Sequence, residues 1–142
     1  MPKIIIHAAG GTFDPKGRAA LTTELTDFAL DCEALPKSPF MKSTVWTYFN
    51  TYPADAVFMG GTPAYAGIIS VQMFVVAGGM NDVAKQKLIK GATELLGRHS
   101  AAHGAVPVYI VLQEIPACNW GFLGEIADLS AMRASPPDKP AL

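Results

Sequence analysis

Residues 9–14, AGGTFD, return at residues 77–82 as AGGMND, and this echo organises the whole chain. It does not stand alone. Val45-Trp46 with Pro53-Ala54 returns as Val108-Tyr109 with Pro116-Ala117. Each half reads strand, Gly-Gly turn, helix, strand, and the paired glycines mark turns that need positive φ. In the first half, residues 2–9 read as the strand, Asp14 as a helix cap and Pro15 as the first helical residue. The spacing of Leu21, Leu25, Phe28 and Ala29 predicts a helix to about residue 33. Leu35-Pro36-Lys37-Ser38-Pro39 stops it, because proline cannot continue a helix, and a strand follows over about 44–51. In the second half, residues 68–76 are β-rich. Asp82 caps a helix through about residue 97, with Val83, Leu88, Leu95 and Leu96 as core candidates. Residues 104–107 read as a loop and 108–114 as the last core strand.

Two strand-helix-strand units of this size predict parallel pairing within each, since the helix serves as the crossover. The expected fold is α/β (α+β): duplicated β-α-β units forming a four-stranded sheet with two helices on one face. One domain spans residues 1–133, its repeats covering about 2–61 and 68–125, with a flexible tail over 134–142 rich in proline. The sheet's other face is too apolar to stay wet, so partners should cover it, and internal near-twofold repetition suits a closed oligomer.

Composition narrows the function. The 142 residues are half hydrophobic and only 16% charged, with a net charge of −1. Without a basic block, nucleic acid is not the expected partner. No run reaches the length of a membrane span, and the initial apolar stretch is too short for a signal peptide, so the expected location is cytoplasmic. Cys32 and Cys118 lack CxxC spacing and read as reduced thiols. Neither a dinucleotide fingerprint nor a P-loop occurs, and no cofactor is expected. His99 and His103 have the spacing of a metal pair but no evident third ligand, so a solvated helix end is the expected reading and no metal is assigned. His7 reads as a hydrogen-bonded structural histidine.

Met1-Pro2 leads directly into the apolar strand Lys3-Ile4-Ile5-Ile6. A small second residue lets the initiator methionine be removed, leaving a terminal proline whose nitrogen is a secondary amine. Chain ends normally fray, but one written into a strand is pinned. A terminal amine has an ordinary pKa near 8, and an apolar pocket lowers it. A base poised near neutrality is what proton transfer at carbon requires, which makes Pro2 the candidate catalytic residue.

With this start and this duplication, the chain resembles the tautomerase superfamily over most of its length. Residues 47–61, TYFNTYPADAVFMGG, look like the matching segment of the cis-3-chloroacrylic acid dehalogenase group. Residues 113–125, QEIPACNWGFLGE, are similar to the end of 4-oxalocrotonate tautomerases, and Val108-Tyr109-Ile110 with Asn119 resembles the closing segment of macrophage migration inhibitory factor.

The resemblance implies a homotrimer with the proline in an apolar pocket between subunits, moving a proton on a small 2-oxo or enol carboxylic acid such as phenylpyruvate. Ser70 is taken to stand at the position of Pro2 in the second half, so one catalytic amine per chain is expected. The dehalogenase arginines would fall on Val76 and Gly79, which weakens a hydratase, dehalogenase or decarboxylase reading on three-carbon acids such as 3-haloacrylates. A non-catalytic binding protein on the same scaffold is the third reading. For the substrate carboxylate, Lys42 aligns with the inhibitory factor's pocket lysine and Lys37 is the fallback; either could equally be a solvated lysine. Tyr109 aligns with the pocket tyrosine, while Asn119 and Trp120 follow the last core strand and could line the pocket mouth. Core or interface packing is the alternative for both aromatics.

Overall fold

Ile4, Ile6 and Ala8 alternate with Lys3, Ile5 and His7 along the first strand, so one face of it is entirely apolar and must be covered by helix. The computed structural model describes residues 1–64, 67–101 and 106–142; His103 and the first half of the loop expected at 104–107 lie outside them. The first half comprises β1 (Lys3–Ala9), α1 (Pro15–Cys32), α2 (Pro39–Ser43), β2 (Trp46–Tyr52), β3 (Phe58–Met59) and β4 (Thr62–Pro63). The second comprises β5 (Ile69–Val76), α3 (Asp82–His99), β6 (Val108–Ile115), β7 (Gly121–Phe122), β8 (Glu125–Ile126) and α4 (Leu129–Arg133).

The main sheet runs β2-β1-β5-β6. β1 pairs with β2, and β5 with β6, in parallel; β1 and β5 meet antiparallel at the centre. Both long helices cover one face. Leu21, Leu25 and Ala29 of α1 and Leu88, Ala92 and Leu96 of α3 are buried against Ile4, Ile6, Val71 and Met73. Each fully buried aliphatic side chain contributes about 1.5–3 kcal/mol. This is the duplicated β-α-β architecture expected from the repeat.

The register of the repeat differs by one residue from its letters. Gly11 and Gly78 carry the positive φ values, 86° and 78°, and each stands three residues before its helix cap. Asp14 accepts from the Gly17 amide at 2.6 Å, whereas the cap of α3 is Asn81, which accepts from Ala84 at 2.9 Å. Asp82, expected as the cap, is instead the first helical residue. Leu21 therefore corresponds to Leu88 and Ile4 to Val71, so Ile69, not Ser70, occupies the position of Pro2. Val83, expected in the core, is 75% exposed because it lies in the first turn of α3 away from the Leu88 stripe.

The short elements were not read from sequence. Pro53 and Pro116 each lead into a single 3-10 turn, Ala54–Ala56 and Ala117–Asn119, followed by a two-residue hairpin. Both hairpin turns need two positive φ values: Gly60-Gly61 supply them in the first copy, and Leu123-Gly124 in the second. The C-terminal residues return to α2, where the Phe40 amide donates to Lys139 O at 3.0 Å and the Lys139 ammonium sits 3.5 Å from the Phe40 ring centroid. The uncovered face of the sheet carries Trp46, Tyr48, Tyr52, Tyr109 and Val111, between 37% and 72% exposed.

Candidate active site

β1 begins beside the start of β2 and the end of β5, because Lys3 is in register with both Trp46 and Phe74. The second hairpin lies beside this end of the sheet, and the two border an open cavity of about 390 Å³. Pro2, Trp46, Tyr48, Phe74, Trp120 and Phe122 line it, so its walls are largely aromatic. Trp46 and Phe122 meet edge to face, 6.2 Å between centroids, and the Trp46 indole donates to Ser43 O at 3.0 Å. A second cavity of about 270 Å³ lies towards α4 and the C-terminal residues. Met1, Thr44 and Phe122 line both cavities, and Met1 is only 2% exposed.

The terminal amine on Met1 lies 2.5 Å from Glu33 Oε2, and both groups are buried. Glu33 is fully buried, and its Oε1 has no hydrogen-bond partner among the described residues. Burial pushes the amine below its ordinary pKa of 8.0, and the attraction of Glu33 opposes that shift without cancelling it.

Glu33 is held by the way α1 ends. Leu35 N–H donates to Leu30 O at 2.9 Å and Ala34 N–H to Asp31 O at 3.1 Å, the two bonds of a Schellman motif. Leu30 and Leu35 pack in the same small cluster, which supplies the motif's apolar contact. Ala34 takes the left-handed position, φ 53°, and Glu33 is the cap. Gly79 borders the same carboxylate: a Cβ there would stand 3.8 Å from Glu33 Oε1. Arg133 of α4 reaches the Gly79 carbonyl, Nη2 donating at 3.1 Å.

Of the residues singled out from sequence, the fold brings Pro2, Asn119 and Trp120 together at the first cavity. The two lysines form ion pairs with α1 within this chain: Lys42 with Asp27 and Lys37 with Asp31, each at 2.7 Å and on the exposed side of the helix. Tyr109 stands on edge strand β6, 72% exposed and away from the cavity. Lys3 lines the cavity, with its ammonium 5.8 Å from the Tyr48 ring centroid. Glu33 and Arg133 were missed. Glu33 continues the four-residue spacing of Leu25 and Ala29, an acid on a buried stripe, and that was the available signal. His7 Nδ1 bonds the Tyr52 hydroxyl at 2.7 Å, and His99 Nε2 lies 3.1 Å from Glu24. Among the described residues, no group of three His, Cys, Asp or Glu side chains could hold a metal.

No family model matches the sequence, and no curated protein matches it. Solved structures do match in shape. N1, a member of the cis-3-chloroacrylic acid dehalogenase family, superposes with a TM-score of 0.76 at 22% identity, covering 89% of this chain and 83% of that one. The fold therefore resembles the tautomerase fold. Fused 4-OT, solved as a symmetric trimer, matches the tautomerase fold of this chain with a TM-score of 0.73 at 22% identity, over 94% of this chain and 99% of that one. Pt0534, solved after inactivation by 2-oxo-3-pentynoate, matches at 0.72 and 18% identity, over 92% and 98%.

Proposed function

We propose that this chain is a tautomerase-type isomerase, in which the nitrogen of Pro2, freed by removal of Met1, moves a proton on a small 2-oxo or enol carboxylic acid of the phenylpyruvate kind. The observation that carries this reading is the burial of Pro2 and of a terminal amine whose pKa is pushed down, beside an aromatic cavity wide enough for a phenyl ring. A neutral amine takes the enol hydroxyl proton, and the resulting ammonium delivers a proton to the adjacent carbon as the carbonyl forms. Substrate and product differ only in the position of that proton, so no co-reactant is required. Removing Met1 also removes a wall shared by the two cavities, which would give the acid one longer chamber.

Among the described residues, Lys3 is the lysine that lines this chamber. Lys42, Lys37 and Tyr109 would contribute only by leaving their present contacts or from a neighbouring subunit. A homotrimer, as in the fused 4-OT structure, would cover the aromatic sheet face and bring edge residues such as Tyr109 towards a neighbour's pocket. Asn119 and Trp120 would then contact the substrate at the mouth.

A second reading, a hydratase, dehalogenase or decarboxylase acting on three-carbon acids, is favoured by one observation. Arg133 brings a guanidinium to Gly79, where the sequence itself has no arginine. Ultraviolet assays of phenylenolpyruvate ketonisation and of 3-haloacrylate turnover separate these readings. The tautomerase reading expects ketonisation that Pro2→Ala abolishes; full ketonisation by Pro2→Ala refutes it. No turnover of either acid by the wild type would leave the binding-protein alternative.

A further inference from the structure

The near-twofold axis between β1 and β5 makes two equivalent ends of the sheet. Lys3 and Phe74, paired across the axis, border the first cavity. The axis carries that pair onto Ser70 and His7, also paired, and these border a cavity of about 400 Å³, a volume typical of small-ligand sites. The other walls follow the repeat. Tyr52 is in register with Ala9 as Ile115 is with Val76, and Val57 ends its 3-10 turn as Trp120 ends the second. Tyr52 and Val57 line this cavity where Ile115 and Trp120 line the other. The chemistry does not follow. Ile69 stands at the proline's position, and no Lys, Arg, Asp or Glu lines the cavity among the described residues. Four neutral hydrogen-bonding side chains, those of His7, Tyr52, Ser70 and Gln72, border it together with the apolar Phe58 and Ile68.

His7 Nδ1 and the Tyr52 hydroxyl are 2.7 Å apart, and His7 Nε2 is buried with no hydrogen-bond partner among the described residues. A buried N–H without an acceptor is a rarer orphan than a bare acceptor, which assigns the imidazole proton to Nδ1, donating to the Tyr52 oxygen. The hydroxyl then keeps its own proton for another acceptor. Tyr52 and Ser70 are exposed and Gln72 half-buried, so a ligand meets them without disturbing the core. An ionised ligand would leave water here without a counter-charge, which is strongly disfavoured.

We propose that this repeat-equivalent cavity is a second binding site, for a small uncharged aromatic ketone or aldehyde. The Tyr52 hydroxyl donates to the carbonyl oxygen, Ser70 and Gln72 offer further hydrogen bonds, and the ring packs against Phe58 and Ile68. The two cavities share no lining residue, so the site stands whether or not Pro2 carries a proton.

The test titrates the intact ¹⁵N-labelled protein with acetophenone, and separately with benzoate, a probe of similar size that carries a charge. The Gln72 side-chain amide reports the second cavity and the Trp120 indole N–H the first. Acetophenone should shift the Gln72 signal saturably, with a Kd on the order of 1 mM or tighter for so small a ligand, and benzoate should bind there at least about tenfold more weakly. Tyr52→Phe and Ser70→Ala should each weaken acetophenone binding by about 3–10-fold, the loss of one hydrogen bond. The absence of a saturable shift at Gln72, shifts confined to Trp120, benzoate binding as tightly as acetophenone, or a Kd altered by neither substitution overturns the proposal; if Tyr52→Phe does not fold, Ser70→Ala decides alone. Undiminished ketonisation by Pro2→Ala would refute the catalytic reading and leave this site untouched.

Discussion

Replacing Ala34 by glycine should stabilise the protein, because Ala34 closes α1 in the left-handed conformation at φ 53°. A residue with a Cβ is disfavoured there by about 1–2 kcal/mol, and glycine removes that strain. Glycine also adds freedom to the unfolded chain, which offsets about 0.4–1 kcal/mol of the gain. The side chain of Ala34 is exposed, so little packing is lost. A net stabilisation of about 0.5–1 kcal/mol is expected, raising the melting temperature by roughly 2–5 °C for a chain of this size. Urea unfolding at fixed protein concentration should show a higher midpoint with an unchanged slope. A lower midpoint would refute the Schellman assignment, and with it the account of how Glu33 is aimed at the amine.

Gly17→Ala should destabilise by about 1–3 kcal/mol in the same assay despite alanine's better helix propensity, because its Cβ would stand 2.7 Å from the His99 carbonyl oxygen. At the surface, Lys85 and Glu114 pair at 2.8 Å, and the hydrogen bond from Lys85 holds the Glu114 carboxyl below its usual 4.5. A depressed carboxyl contributes stability above its unfolded pKa and loses it as pH falls through the folded one; Glu114→Gln should therefore flatten the acid side of the stability profile below about pH 4.5, and 1 M salt should erase the difference. Trp120→Ala should raise the KM for phenylenolpyruvate by about tenfold, the loss of one aromatic wall, with kcat changed less than KM; an unaltered KM would remove Trp120 from the substrate's surroundings.

The two long helices and four core strands were legible because each carries a sustained period: Leu21, Leu25 and Ala29 in one helix, Ile4, Ile6 and Ala8 in one strand. The hairpins were not, since two-residue strands have no period to read. Matching glycines by letter placed the repeat one residue out of step, because only Gly11 and Gly78 share the left-handed conformation that sets it. The ion pairs of the two lysines were not legible for a related reason. Alignment fixes a position along the chain, but Asp27 and Asp31, one helical turn apart, decide where the ammonium groups go. Glu33 was hidden because its meaning depends on a contact with residue 1, across thirty-two positions of sequence.

The central claim is that a terminal proline nitrogen carries the proton, and the mass of the purified protein's N-terminal peptide tests it most directly. Loss of the Met1 mass, leaving a peptide that begins at Pro2 with a free secondary amine, is the expected result. A peptide that retains Met1 would contradict it, because the Pro2 nitrogen would then be locked in a peptide bond with no proton to take or give.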